Sequence, residues 1–217
     1  FEYHTRALPK WLNRNPQGNL KQALENKMKL FEVKGEPVDL KYLQNKYLNE
    51  KGVYCFDQGG RQQESALGMQ KLAEEIKRYV AEHGLEKYHV FLPSGTGASA
   101  FYLQQYLPEE AVKTCACVGG ERYLLAQMQS LVDDNQTVHF PVILPSSKKY
   151  HFGKCYPEFL EMYQQLLSET GVEFELLYDS LGWQVLLQYH QKLEGEIIYV
   201  HCGGVFGNGS MLKRYGI

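Results

Sequence analysis

The strongest constraint on this chain is an alternation in which short runs of β-branched and aromatic residues are followed, repeatedly, by longer amphipathic stretches. Helical spacing predicts helices over 20–27, 38–48, 62–82, 123–132, 157–169, 181–192 and 207–215. Strands are predicted over 28–33, 53–56, 88–92, 112–118, 138–144, 174–178 and 196–200. The alternation predicts an α/β fold: a mostly parallel twisted sheet with helices on both faces, because parallel neighbours need crossover connections. Ligands of such sheets bind at the carboxyl ends of the strands. The 217 residues suffice for one core of this kind plus a smaller piece. The division is expected near Gly52, with a small domain over 1–51, which carries Pro9, Pro16 and Pro37, and a larger domain over 52–217.

Charged residues make up 22% of the chain and the formal net charge is -2, so no electrostatic footprint for nucleic acid or an anionic membrane is present. No apolar run approaches the length of a membrane span. The five cysteines, Cys55, Cys115, Cys117, Cys155 and Cys202, lack CxxC spacing and read as free thiols in a reducing cytoplasm. The seven histidines are scattered, and no metal site is expected. The first residue is Phe1, and nothing before Pro9 resembles a secretory leader.

The stretch Tyr88 to Leu103, YHVFLPSGTGASAFYL, is the chain's clearest candidate for chemistry. A bulky strand stops at Pro93, and a helix opens near Ala98. Between them Ser94, Gly95, Thr96, Gly97 and Ser99 form a phosphate cradle, in which glycines admit an anion close to the backbone while first-turn N–H groups and hydroxyls bond it. The same residues would also serve an ordinary strand-to-helix turn with hydroxyl caps. No Gly-Lys-Ser/Thr follows, which excludes a Walker loop. Gly95-x-Gly97-x-x-Ala100 formally fits the dinucleotide fingerprint, so a dinucleotide-dependent oxidoreductase stands as a rival. That rival lacks its acidic ribose partner, since the next strand runs into Gly119 and Gly120 before Glu121.

Three further loops fall at predicted strand ends: Asp57-Gln58-Gly59-Gly60, Tyr178-Asp179 and His201-Cys202-Gly203-Gly204. The first alone reads equally as a plain turn and Asp179 alone as a helix N-cap, whereas a polar residue with two glycines at a strand's carboxyl end, as at His201 to Gly204, reads as pocket lining. Four such loops along one sheet edge make a pocket the better reading.

Together these segments resemble the 1-aminocyclopropane-1-carboxylate deaminase / D-cysteine desulfhydrase family of pyridoxal-phosphate enzymes, which has the tryptophan-synthase-β-like fold type II. The markers are NPQGN at Asn15 to Asn19, DQGG, PSGTGAS, FGK at Phe152 to Lys154, LLYD ending at Asp179, HCGG, and GNGSMLKRY near the end. The resemblance implies that Ser94, Gly95, Thr96, Gly97, Ala98 and Ser99 contact the cofactor's phosphate. It implies that Tyr178 faces substrate and ring as the catalytic residue, and that Asp179 bonds the pyridine nitrogen. Cys202 stands where the family often has Thr, packed near the ring. The implied partners are a small amino-acid substrate and a second copy of the chain in a homodimer.

Two departures accompany it. The family's Gly-Asn-Lys segment with the Schiff-base lysine, and its Ser-Asn-His helix start, are absent; the chain is expected to begin inside the small domain. Phe152 falls near a second substrate-facing tyrosine of the deaminases, which favours elimination from a D-amino acid over ring opening. The expected function is thus a pyridoxal-phosphate-dependent deaminase or α,β-eliminating lyase. A non-catalytic remnant that binds a phosphate ligand or a partner is the alternative.

Overall fold

The computed structural model describes residues 1–35, 37–132 and 137–217. They form two compact units, Phe1–Gln58 with Gly204–Ile217, and Gly59–Gly203. The C-terminal segment therefore groups with the N-terminal residues rather than with the larger body.

In the first unit β1 (Glu2–Arg6) pairs in parallel with β2 (Lys29–Val33), with Glu2 opposite Lys29 and Arg6 opposite Val33. The crossover between them carries α1 (Lys10–Arg14) and α2 (Gly18–Glu25). α3 (Leu40–Lys46) follows, capped by the Asp39 carboxylate, which accepts the Tyr42 N–H at 2.8 Å. β1 has no counterpart in the sequence prediction. Its residues, EYHTR, are mostly polar, and the strand exists because β2 offers a parallel partner. Residues 53–56, expected as a strand, pair with no strand among the described residues, and Val53, Tyr54 and Phe56 are exposed.

The second unit contains α4 (Ser65–Glu82), β3 (Tyr88–Ser94), α5 (Ala98–Gln104), β4 (Val112–Ala116), α6 (Glu121–Gln129), β5 (Val142–Ile143), α7 (Pro157–Thr170), α8 (Asp179–Tyr189) and β6 (Glu196–Tyr199). The last helix of the chain, α9 (Asn208–Tyr215), belongs to the first unit. The sheet runs β5-β4-β3-β6, parallel at every step. Alternation along β3 sends its side chains to opposite layers. Val90 and Leu92 pack with Ala73 and Ile76 of α4 and Ala100 and Leu103 of α5. Phe91 packs the other way, with Phe159 of α7 and Leu181 and Val185 of α8. Both faces of the sheet are thus covered, as the alternation predicted.

Pro93 does not end β3, which continues to Ser94. The Val90 N–H and the Ser94 carbonyl bond toward β4, whereas the Phe91 carbonyl takes the Val200 N–H beyond β6. Pro93 shares the parity of Phe91, so its missing N–H falls past the end of β6, where no ladder bond is lost. The strand expected over 138–144 shrinks to Val142–Ile143. The strand expected over 174–178 is absent, for a reason that lies in the candidate site.

Candidate functional site

β3 leaves the sheet through Ser94, and the chain turns at Gly97 (φ 81°) into α5. The turn needs glycine on two counts. Its φ lies in the left-handed region, and a Cβ at Gly97 would lie 2.7 Å from Met128 Cγ and 2.8 Å from Leu124 Cδ1. The first helical bond, Phe101 N–H to the Gly97 carbonyl at 2.8 Å, leaves the N–H groups of Ala98, Ser99 and Ala100 outside the i to i-4 ladder. Ser99 is exposed and Thr96 half-buried, whereas Ser94 is buried, its Oγ 2.7 Å from Thr114 Oγ1. Ser94 therefore ties the loop to β4, Ser99 is the exposed hydroxyl of the loop, and Thr96 Oγ1 donates to the Gly59 carbonyl at 3.4 Å. Gly59 of the DQGG segment abuts the same loop: a Cβ there would come within 2.7 Å of Thr96 Cγ2.

Tyr178 reaches the loop from the start of α8. A Cβ on Gly95 would meet the Tyr178 hydroxyl at 3.2 Å, so the phenol fills the space beside the glycine backbone. Burial raises the Tyr178 pKa, and the neighbouring Cys117 and Glu175 add to the shift, so the phenol keeps its proton at neutral pH. The Phe152 ring lies 5.2 Å from the Tyr178 ring at 58°, and Phe152 is itself 47% exposed. The FGK segment is thereby brought to the same place, where Cys117, Phe152 and Leu177 line a small pocket.

Asp179 is the first residue of α8 rather than its N-cap, which is Tyr178. It is 1% exposed, and both oxygens are engaged: Oδ1 accepts the Tyr199 hydroxyl at 2.7 Å and Oδ2 accepts the Glu175 N–H at 3.0 Å. Burial raises its pKa, opposed by those two hydrogen bonds and by His201. Glu175 explains the absent strand over 174–178. Its Oε2 accepts the N–H groups of Leu177 and Tyr178, each at 2.7 Å, and its carbonyl takes those of Asp179 and Ser180. Donors that a strand would give to a neighbour are spent within a tight turn.

Cys202 follows β6. In the same loop His201 Nδ1 accepts the Gly203 N–H at 3.0 Å, which puts the ring proton on Nε2, donated to the Glu173 carbonyl at 2.8 Å. The Cys202 side chain is exposed, yet desolvation and then the Asp179 charge push its thiol up to about 11. All five cysteines are free thiols. Among the described residues no cluster of His, Cys, Asp or Glu has the geometry of a metal site, and no helix is long and apolar enough to cross a membrane.

The second unit thus brings Tyr178 against Gly95 of the Gly/Thr/Ser loop, with Asp179 next in the chain but buried against Tyr199 and the Glu175 N–H, while Ser94 is turned into the sheet. Sequence reasoning missed Glu175 and Tyr199. Both lie in runs that read as strands, and no local pattern marks either as a partner of Asp179.

No family model matches the chain, and no curated protein matches it in sequence. Solved structures do match. A crystal structure of an ACC deaminase homologue superposes with a TM-score of 0.68 at 16% identity, covering 98% of this chain and 69% of that one. The crystal structure of a threonine deaminase from T.th. superposes with a TM-score of 0.49 at 16% identity, over 84% of this chain and 69% of that one. The first likeness establishes the fold: this chain has the mixed α/β, parallel-sheet architecture of fold type II that its sequence predicted.

Proposed function

We propose that this chain holds the phosphate and ring of pyridoxal phosphate in an enzyme that deaminates, or eliminates from, a small amino acid of the D-cysteine or 1-aminocyclopropane-1-carboxylate type. The observation that carries the reading is the meeting of Tyr178 with the bare backbone of Gly95 at the mouth of the Gly/Thr/Ser loop. A glycine cradle walled by a phenol suits a phosphate joined to an aromatic ring. Likeness of fold to an ACC deaminase homologue supports it.

The residues present fit the group. Gly95, Thr96, Gly97, Ala98 and Ser99 would take the phosphate through backbone N–H groups and the hydroxyls of Ser99 and Thr96, the latter turning from the Gly59 carbonyl. Asp179 would take the ring nitrogen. Its present partners are a phenol and a backbone N–H, and burial disfavours its charge, so a protonated ring nitrogen would supply positive charge beside it. Pyridoxal phosphate supplies an electron sink for the charge that develops at the substrate's α-carbon. Tyr178, protonated at neutral pH, would hold a proton at Oη toward the substrate, and Cys202 would pack near the ring. A second copy of the chain is the proposed partner, and a reducing, cytoplasmic setting suits five free thiols.

Equilibrium dialysis against pyridoxal phosphate and against pyridoxal tests this directly. The protein is expected to retain the first and not the second. Gly95→Ala, whose methyl group would stand 3.2 Å from the Tyr178 hydroxyl without a positive φ, crowds the phenol against the loop and is expected to lose that retention while far-UV circular dichroism shows the fold kept. Equal retention of pyridoxal, or full retention by Gly95→Ala, would sink the reading.

A further inference from the structure

The turn before α8 is organised by one side chain that nothing in the loop's chemistry requires. Glu175 is 5% exposed and lies in an apolar run, a costly place for a carboxylate unless it has partners. It has several. Oε2 accepts the N–H groups of Leu177 and Tyr178 at 2.7 Å each. The Glu175 N–H donates to Asp179 Oδ2 at 3.0 Å, and its carbonyl accepts from Asp179 N–H at 3.1 Å and Ser180 N–H at 3.3 Å. Every one of these bonds fixes the backbone that carries Tyr178 and Asp179.

We propose that Glu175 is the positioning residue of this site: its carboxylate sets the height and direction of the Tyr178 phenol over Gly95 and, through its own N–H, the orientation of the Asp179 carboxylate. The inference rests on the functional reading above for its consequence, though not for its geometry. Glu175 touches neither substrate nor cofactor. It acts through the turn, so that its loss displaces a phenol that stands 3.2 Å from where a Gly95 Cβ would be. The Phe152 ring, 5.2 Å away, gives the phenol a second wall, and the backbone turn sets where the Tyr178 side chain begins.

The test needs a readout of position. In the cofactor-free protein, the nuclear Overhauser contact between the Tyr178 ring and the Gly95 α-protons reports the phenol's place, and amide exchange at Leu177 and Tyr178 reports the two bonds. Glu175→Gln keeps an acceptor oxygen at the same reach and is expected to keep the contact and the protection. Glu175→Ala and Glu175→Leu both remove the acceptor. Both are expected to lose the contact and to raise amide exchange at Leu177 and Tyr178 by about tenfold or more, the scale of one lost hydrogen bond. Pyridoxal phosphate retention is expected to fall in parallel, and Glu175→Gln to restore it. Should Glu175→Leu not fold, Glu175→Ala and Glu175→Gln carry the comparison. An unchanged Tyr178–Gly95 contact in Glu175→Ala would overturn the proposal. A wild-type protein that shows the contact yet retains no pyridoxal phosphate would instead overturn the functional reading and leave the role of Glu175 standing.

Discussion

Tyr199 donates its phenolic proton to Asp179 Oδ1 across 2.7 Å, from the last residue of β6 to the first of α8. The bond crosses a layer of the fold and is backed by Trp183, whose ring stacks on Tyr199 at 4.5 Å and 9°. The phenol is held far above its usual pKa, first by burial and then by the Asp179 charge, so it stays a donor at any pH the fold survives.

Tyr199→Phe removes that donor and leaves the ring stack intact. Asp179, already raised by burial, then loses one of the bonds that lower its pKa and rises further. The expected loss of stability at neutral pH is about 1–3 kcal/mol, the cost of a buried acceptor left short of a partner. Urea unfolding measures it. A loss confined to a few tenths would mean that Asp179 has found another donor.

Glu175 gives the fold a distinctive pH response. Burial lifts its pKa from 4.5 to about 7 against the pull of its two backbone N–H bonds, and the Asp179 charge adds to the rise. Below the ordinary value both folded and unfolded chains hold the proton, and nothing changes. Between 4.5 and about 7 the unfolded chain releases it first, so stability falls as pH rises, and it levels off above the folded value. The fall attributable to this group is at most about 3 kcal/mol. Asp179, shifted the same way, contributes with the same sign. Unfolding midpoints across this window are expected to decline in the wild type and to decline less in Glu175→Gln. Identical slopes would remove Glu175 as the cause.

What the sequence disclosed follows the range of the forces involved. The strand, glycine turn and helix from Tyr88 to Gln104 were legible because each piece is set by neighbours in the chain: bulky residues, a positive-φ glycine, an apolar helix face. Residues 174–178 were not. Phe174, Leu176, Leu177 and Tyr178 have strand composition, and only the burial of the Glu175 carboxylate against their own N–H groups converts them to a turn. Pairing is equally hidden. EYHTR near the N-terminus became a strand and the more apolar 53–56 did not, because the first finds a partner in β2.

Two glycines separate close packing from simple backbone freedom. Gly97→Ala would combine a left-handed φ with a methyl group 2.7 Å from Met128 and 2.8 Å from Leu124, both fully buried. A loss of about 2–4 kcal/mol is expected, from overpacking plus the left-handed backbone. Gly68, exposed within α4 with nothing near its missing Cβ, is the contrasting case. Gly68→Ala is expected to stabilise by about 0.4–1 kcal/mol, because alanine restricts the unfolded chain and suits a helix. Thermal unfolding of the two variants side by side checks both signs, and a stable Gly97→Ala protein would show that α6 can yield.

The thiols offer a test of the site that needs no substrate. Cys115 and Cys117 are buried on β4 and just beyond it, with sulfurs 4.0 Å apart, and their alkylation is expected only on unfolding. Cys202 is open to reagent, yet its thiol is pushed up to about 11 by desolvation and by Asp179. Reaction proceeds through the thiolate, so a rise from 9 to about 11 cuts the reactive fraction at neutral pH roughly a hundredfold. Raising the pH through 8 to 9 is then expected to speed Cys202 labelling about tenfold without reaching a plateau. Asp179→Asn withdraws the charge and is expected to speed labelling further, an effect that mass spectrometry of the Cys202 peptide can follow. If Cys202 lies beside the cofactor's ring, saturating pyridoxal phosphate shields it in the wild type and fails to do so in Gly95→Ala. Labelling of Cys202 that ignores both Asp179 and pyridoxal phosphate would place it outside the site.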